Sequence, residues 1–251
     1  MAGDLFRLWQ RSDFPKLPAM RWAVKDLVVL GGITLLFGAA KNGKSFVAIS
    51  IACAVMAGVP WCGFSTRKLR VLYVGAEGFF GLLRREAAWS KLHGVAVELK
   101  YFRRPINFFD IDSVKAALAA LKGQDFVPDL IIIDTLARSM VGGNESATED
   151  MSKVFDLIDM FRRELKEPTF IVVHHGTKDG LTYRGSSVIA ANVDGAIEVS
   201  KDGLTLTLSC PLGMKDAAEF GTFKVRFQPT LVETEDGLSR CWRSKIGRAH
   251  V

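Results

Sequence analysis

The chain has 251 residues, 49% of them hydrophobic and 24% charged, which suits one globular domain with a sizeable core, or one domain plus extensions. No apolar run reaches the roughly 18 residues that span a membrane, and residues 1–21 carry charges and prolines where a signal peptide would have an apolar stretch, so membrane-spanning and exported classes are set aside. The net charge of +6 permits a nucleic-acid partner without showing one, because the basic residues are spread, with only small clusters at Arg67, Lys68 and Arg70, at Arg84 and Arg85, and at Arg103 and Arg104.

Residues 1–27 read as a lead-in, with Trp9, Phe14, Trp22 and Leu27 expected to pack on the edge of the domain. The body, 28–245, then alternates. A strand at about 33–37 precedes a buried, Ala-rich helix at about 44–57 that stops at Gly58, with Pro60 beyond. A strand at about 69–75 precedes a helix at about 79–92. A short strand near 98–102 leads to a helix at about 111–122, capped by Asp110 or Asp112. A strand at 129–134 precedes a helix at about 148–166, and a strand follows at 169–174. Several of these strands are near-continuous apolar runs, as a sheet buried on both faces requires. The expected fold is therefore α/β, with a mostly parallel central sheet flanked by helices. After residue 193 the pattern changes to short alternating strands at 195–200, 204–209 and 223–227, with Lys201, Asp202 and Gly203 as a tight turn. These extend the sheet in antiparallel fashion.

Two end features complete the pass. The four cysteines, Cys53, Cys62, Cys210 and Cys241, form no C-x-x-C pair, which reads as free thiols in a cytoplasmic protein. Residues 246–251 spell the peptide that a widely used sequencing adapter encodes in one frame. We therefore expect them to be a read-through tail, with the natural chain continuing past about Lys245; without Arg248 the charge of +6 falls to +5.

Residues 38–45, Gly38-Ala39-Ala40-Lys41-Asn42-Gly43-Lys44-Ser45, fit G-x-x-x-x-G-K-[ST], a phosphate-binding loop between a strand and a helix. Gly38 and Gly43 allow the tight turn that aims backbone N–H groups at phosphate oxygens. Lys44 reaches the β- and γ-phosphates, and Ser45 offers a hydroxyl to Mg²⁺. The helix that follows sets its positive end behind the phosphates.

Three further strand ends carry polar groups. Leu130-Ile-Ile-Ile-Asp134 has the Walker B pattern, and Asp134 either holds Mg²⁺ with Ser45 or caps the next turn. Leu72-Tyr-Val-Gly-Ala-Glu77 ends in an acid that either polarises the attacking water or caps the helix near Phe79. Phe170-Ile-Val-Val-His174-His175 ends in two histidines, either of which could report on the γ-phosphate; the alternative is a histidine bonded to backbone.

Taken together with Arg184-Gly185-Ser186-Ser187, these segments resemble the RecA-like P-loop ATPases, and especially the plasmid-type hexameric replicative helicases and their phage relatives, over about residues 28–228. The resemblance implies a RecA-type core, Mg²⁺-dependent ATP hydrolysis at subunit interfaces, a homo-oligomeric ring or filament, and single-stranded DNA at its centre. It also implies a basic finger acting in trans, for which Arg184 and Lys215 are the candidates. Asp194 lies where an arginine stands in some plasmid helicases, which leaves the finger open. Such families place mobile DNA-binding loops at positions like 137–146 and 176–183; either Lys178 meets phosphate and Tyr183 stacks on a base, or both segments are only mobile surface loops. A recombination or repair ATPase of the same fold, and a regulatory ATPase acting on protein, are the rival readings.

Overall fold

The computed structural model describes residues 8, 10–16, 19–75, 78–176, 187–215, 220–234 and 237–245. The lead-in's β1 (Trp22–Val24) forms a small hairpin with β2 (Val28–Val29) at the start of the body. The alternating body follows as β3 (Ile33–Gly38), α1 (Lys44–Ala57), β4 (Val71–Gly75), α2 (Phe79–His93), β5 (Lys100–Phe102), α3 (Ile111–Gly123), β6 (Leu130–Asp134), α4 (Thr148–Glu164) and β7 (Thr169–His175). A short α5 (Val188–Asn192) leads into β8 (Gly195–Asp202), β9 (Thr205–Ser209), β10 (Phe223–Thr234) and β11 (Gly237–Lys245).

Nine of these strands make one sheet in the order β11-β10-β9-β8-β3-β7-β6-β4-β5. The six strands from β8 to β5 run parallel, and β9, β10 and β11 extend the sheet with antiparallel pairings. Because side chains alternate across a strand, Leu35 and Leu36 feed opposite cores. On one face, Leu36, Tyr73, Ile132 and Val173 pack against α1 and α2, joined by Ala23, Val24 and Leu27 of the lead-in. On the other, Leu35, Val74, Ile133 and Val172 pack against α3, α4 and α5. Each Val, Leu or Ile fully withdrawn from water there contributes about 1.5–3 kcal/mol.

α1 is apolar around most of its circumference and ten of its residues are buried, which is why it lies within the core and not across its surface. Gly58, at φ 70, ends it by donating its N–H to the carbonyls of Ala54 and Val55. Asp110 opens α3, its side chain accepting the N–H of Asp112.

Two expectations are corrected. The β8–β9 turn is the pair Gly203 and Leu204, because Asp202 still pairs with Thr205; Lys201 is thus a strand residue. The expected mobile loop at 137–146 is held over its first residues, 137–141. Leu136 and Met140 are buried, Ser139 accepts the N–H of Phe108 at 2.7 Å, and Asn107 donates to the carbonyl of Val141. Among the described residues no helix is long and apolar enough to cross a membrane.

Candidate nucleotide site

The carboxyl ends of β3, β6 and β7 meet at one edge of the sheet. In register, Gly38 lies opposite His175, and Asp134 opposite Val173 and Gly75. A cleft of about 360 Å³ opens there, lined by Lys41, Gly43, Lys44, Ser45, Phe46, Arg85, Asp134, Thr135, His175, Lys201 and Phe227. This is where open parallel sheets bind ligands.

The loop between β3 and α1 is held from the side of the antiparallel extension. Gly38 has φ 148 and packs so closely on β8 that a Cβ would sit 2.1 Å from the carbonyl oxygen of Val199. Asn42 donates its side-chain N–H to that same carbonyl at 3.2 Å. At Gly43, with φ 85, a Cβ would lie 2.8 Å from Cζ of Phe227. Both glycines are therefore required by backbone conformation and by space. Gly43 is also the N-cap of α1 and supplies no side-chain cap, and no acid sits in the first turn. The N–H groups of Phe46 and Val47 donate to the carbonyl of Gly43, so at the start of this fourteen-residue helix it is those of Lys44 and Ser45, both in the cleft lining, that can serve an anion.

Lys44 is buried, and its ammonium donates to the carbonyls of Gly38 at 2.9 Å and Ala39 at 2.8 Å. Burial lowers its pKa, and Asp134 opposes that effect. Asp134 is 7% exposed, and its Oδ2 accepts a hydrogen bond from the Tyr73 hydroxyl at 2.7 Å. Burial, then the neighbouring Asp134 charge, push the Tyr73 pKa well up, so the hydroxyl stays a donor. The Asp134–Thr135 peptide is cis. Arg85, from α2, lays its guanidinium 4.0 Å over the Phe46 ring, and Phe46 meets Phe227 edge-on at 5.0 Å. Lys201 lies 5.6 Å over the other ring. Around the cleft, Lys41, Lys44, Arg85 and Lys201 outnumber the single carboxylate of Asp134, a balance suited to a triphosphate.

The donor set fits Mg²⁺. Ser45 and Asp134 are hard oxygen donors in the same cleft, and among the described residues no cluster of three His, Cys, Asp or Glu forms a self-sufficient cage. Mg²⁺ characteristically takes one or two protein oxygens and completes its shell with water and substrate phosphate.

Of the residues expected from sequence, the structure brings Lys41, Gly43, Lys44, Ser45, Asp134 and His175 together around this cleft, with Gly38, Ala39, Ala40 and Asn42 completing the loop. It separates the two histidines. His174 is fully buried on the opposite sheet face, with Nδ1 3.9 Å from Oε1 of Glu145. Lys215 lies at the far end of β3. Its N–H donates to the carbonyl of Asp194, whose own N–H donates to Ile33, and its ammonium donates to the carbonyl of Ala191 at 2.8 Å. Asp194 itself is a structural brace, accepting the N–H of Ile33 at 2.7 Å. Glu77, Lys178, Tyr183 and Arg184 lie outside the described residues.

Sequence reasoning missed Arg85, Tyr73, Phe46, Lys201 and Phe227. Arg85 carried a faint signal, lying in the helix expected just after Glu77. Lys201 and Phe227 carried none, being more than 150 residues from the loop they cover.

The strand–loop–helix with its lysine, the strand-end carboxylate and the mostly parallel sheet define a P-loop nucleoside-triphosphatase core. Residues 4–180 match the profile of the AAA domain family (AAA_25), and the chain belongs to that family of P-loop ATPases. No curated protein matches the chain.

Proposed function

We propose that the chain is an oligomeric, Mg²⁺-dependent ATPase that moves on or remodels single-stranded DNA in the manner of replicative helicases, in the cytoplasm. The observation that carries the ATPase chemistry is the convergence of Lys44, Ser45, Asp134, Arg85 and His175 on one cleft. The DNA motor is supported by the resemblance of the Glu77, His174-His175 and Arg184–Ser187 segments to such motors, and by the net charge of +6.

In this reading the γ-phosphate lies against Lys44 and the exposed N–H groups at the start of α1. Glu77 orients a water in line with the leaving oxygen and takes its proton as the new P–O bond forms. ADP leaves with the electron pair of the broken bond, and inorganic phosphate carries the water oxygen. Ser45 and Asp134 would hold Mg²⁺, which would supply neutralisation of the phosphate charge when bound. Arg85 donates to phosphate oxygens from the α2 side. His175 faces the γ-phosphate position and reports its loss to the chain that follows β7. Arg184 or Lys215 completes the site of a neighbouring subunit. A trans-acting cation must lie away from its own cleft, and Lys215 does so. Lys178 and Tyr183 contact DNA as phosphate ligand and stacking platform.

The test is ATP hydrolysis with and without single-stranded DNA, against a Lys44→Ala control. Stimulation by DNA that disappears in the control supports the motor. Hydrolysis indifferent to DNA points instead to a regulatory ATPase acting on protein. Stimulation with strand exchange and no unwinding points to the recombination reading.

A further inference from the structure

Tyr73 is the middle residue of β4 and is fully buried, yet its side chain ends on the functional carboxylate, with the 2.7 Å hydrogen bond from its hydroxyl to Oδ2 of Asp134. The register explains the reach. Tyr73 pairs with Ile132 and Gly75 pairs with Asp134, so the tyrosine sits one side-chain position below the acid on the same sheet face. Its ring runs past Gly75, where a Cβ would lie 3.6 Å from Tyr73 Cδ1 and 2.5 Å from Leu82 Cδ1. The ring is held from the other side by Tyr101, at 6.0 Å between centroids. Tyr101 is fixed in turn, because its hydroxyl donates to Glu86 of α2 and the other Glu86 oxygen accepts the N–H of Leu99 at 3.1 Å.

We propose that Tyr73 is a positioning residue for the metal carboxylate: its hydroxyl occupies one oxygen of Asp134 and leaves the other aimed at the metal's shell beside Ser45. The proposal rests on the reading of Asp134 as the acid that holds Mg²⁺. A lone strand-end carboxylate rotates about its last bond. One whose Oδ2 is tied to a ring packed in the core does not. Mg²⁺ tolerates little misplacement, since it demands near-octahedral geometry at about 2.0–2.1 Å. Partners that orient a ligand typically change metal affinity by about 10–100-fold when removed.

The experiment uses Tyr73→Phe and Tyr73→Met, two core-sized side chains without the donor, so that the test survives if one of them folds poorly. Binding of a fluorescent ADP is titrated with Mg²⁺ and repeated in EDTA. Both variants should bind ADP in EDTA as the wild type does, which shows an intact fold and phosphate loop. The Mg²⁺ concentration for half-maximal enhancement should rise roughly 10-fold or more. In an Asp134→Asn background the same substitutions should shift it no further. A wild-type Mg²⁺ titration in Tyr73→Phe or Tyr73→Met, while Asp134→Asn loses the enhancement, overturns the role of Tyr73 alone. Equal weakening in EDTA and in Mg²⁺ also overturns it, leaving only a packing role. A wild-type Mg²⁺ dependence in Asp134→Asn overturns the reading of Asp134 and the proposal with it.

Discussion

Replacing Phe227 with alanine tests whether the antiparallel extension is a working wall of the nucleotide site. Phe227 is 5% exposed, meets Phe46 at 5.0 Å, and presses on Gly43 so closely that a Cβ there would sit 2.8 Å from its Cζ. A core Phe→Ala change costs about 3–5 kcal/mol, and since this ring borders a cleft we take the lower end, about 3 kcal/mol. In a domain of this size each kcal/mol moves the melting temperature by about 2–4 °C, so a fall of roughly 6–12 °C is expected. Stability of the order of 5–15 kcal/mol leaves the variant folded. The functional effect is separate. Gly43 must hold its φ of 85 to aim the loop's N–H groups at phosphate, and without the ring that conformation loses its nearest neighbour, with Leu206 and the Asn42–Val199 bond remaining beside it. The Kd for ADP should rise about tenfold, or 1.4 kcal/mol. Phe227→Leu, which refills most of the space, should cost under about 1.5 kcal/mol and restore most of the affinity. Differential scanning fluorimetry and ADP titration on the three proteins decide it. If Phe227→Ala melts with the wild type and binds ADP equally well, the extension does not brace the loop and this reasoning fails.

Arg85→Ala should lower kcat/KM for ATP by about 10²-fold, the usual effect of losing one donor to developing phosphate charge, and Arg85→Lys should recover little because an ammonium lacks the guanidinium fork; steady-state kinetics showing a wild-type value for either would remove Arg85 from the site. Glu77→Gln should keep ATP binding while turnover falls steeply, and loss of both in parallel would argue against a base at this position. The Arg70–Asp129 fork gives a pH prediction. The hydrogen bond from Arg70 holds the Asp129 carboxyl below its ordinary value of 3.8. A lowered carboxyl pKa contributes its full stabilisation above the ordinary value and loses it as pH falls below that value and through the lowered one. The pair is solvent-exposed, so the stabilisation is at most about 1 kcal/mol. Wild type should therefore melt slightly above Asp129→Asn at neutral pH, and the gap should close below pH 3.8; a gap that persists in acid would refute the assignment.

The sequence by itself determined the phosphate loop, because its chemistry is local: two glycines, a lysine and a serine act through a few contiguous backbone groups, flanked by an apolar strand and an apolar helix. It also determined the alternation that builds a parallel sheet, and hence that Asp134 and a strand-end histidine would reach the loop's edge. It left the two histidines equivalent. Strand pairing decided between them, since adjacent residues on a strand face opposite ways, and only His175 shares the cleft with Lys44. The β8–β9 turn was started two residues early because Lys201-Asp202-Gly203 is turn-like in composition, while the register of the flanking strands put the turn at Gly203 and Leu204. Tyr73 reads as one more apolar strand residue until the pairing of β4 with β6 brings its hydroxyl under Asp134. Lys201 and Phe227 reach the loop only because β8 and β10 continue the sheet past β3 and fold its edge over Gly38 and Gly43. Groups that act through neighbours in the chain are written in the sequence; groups that act across strands exist only once the sheet has set their register.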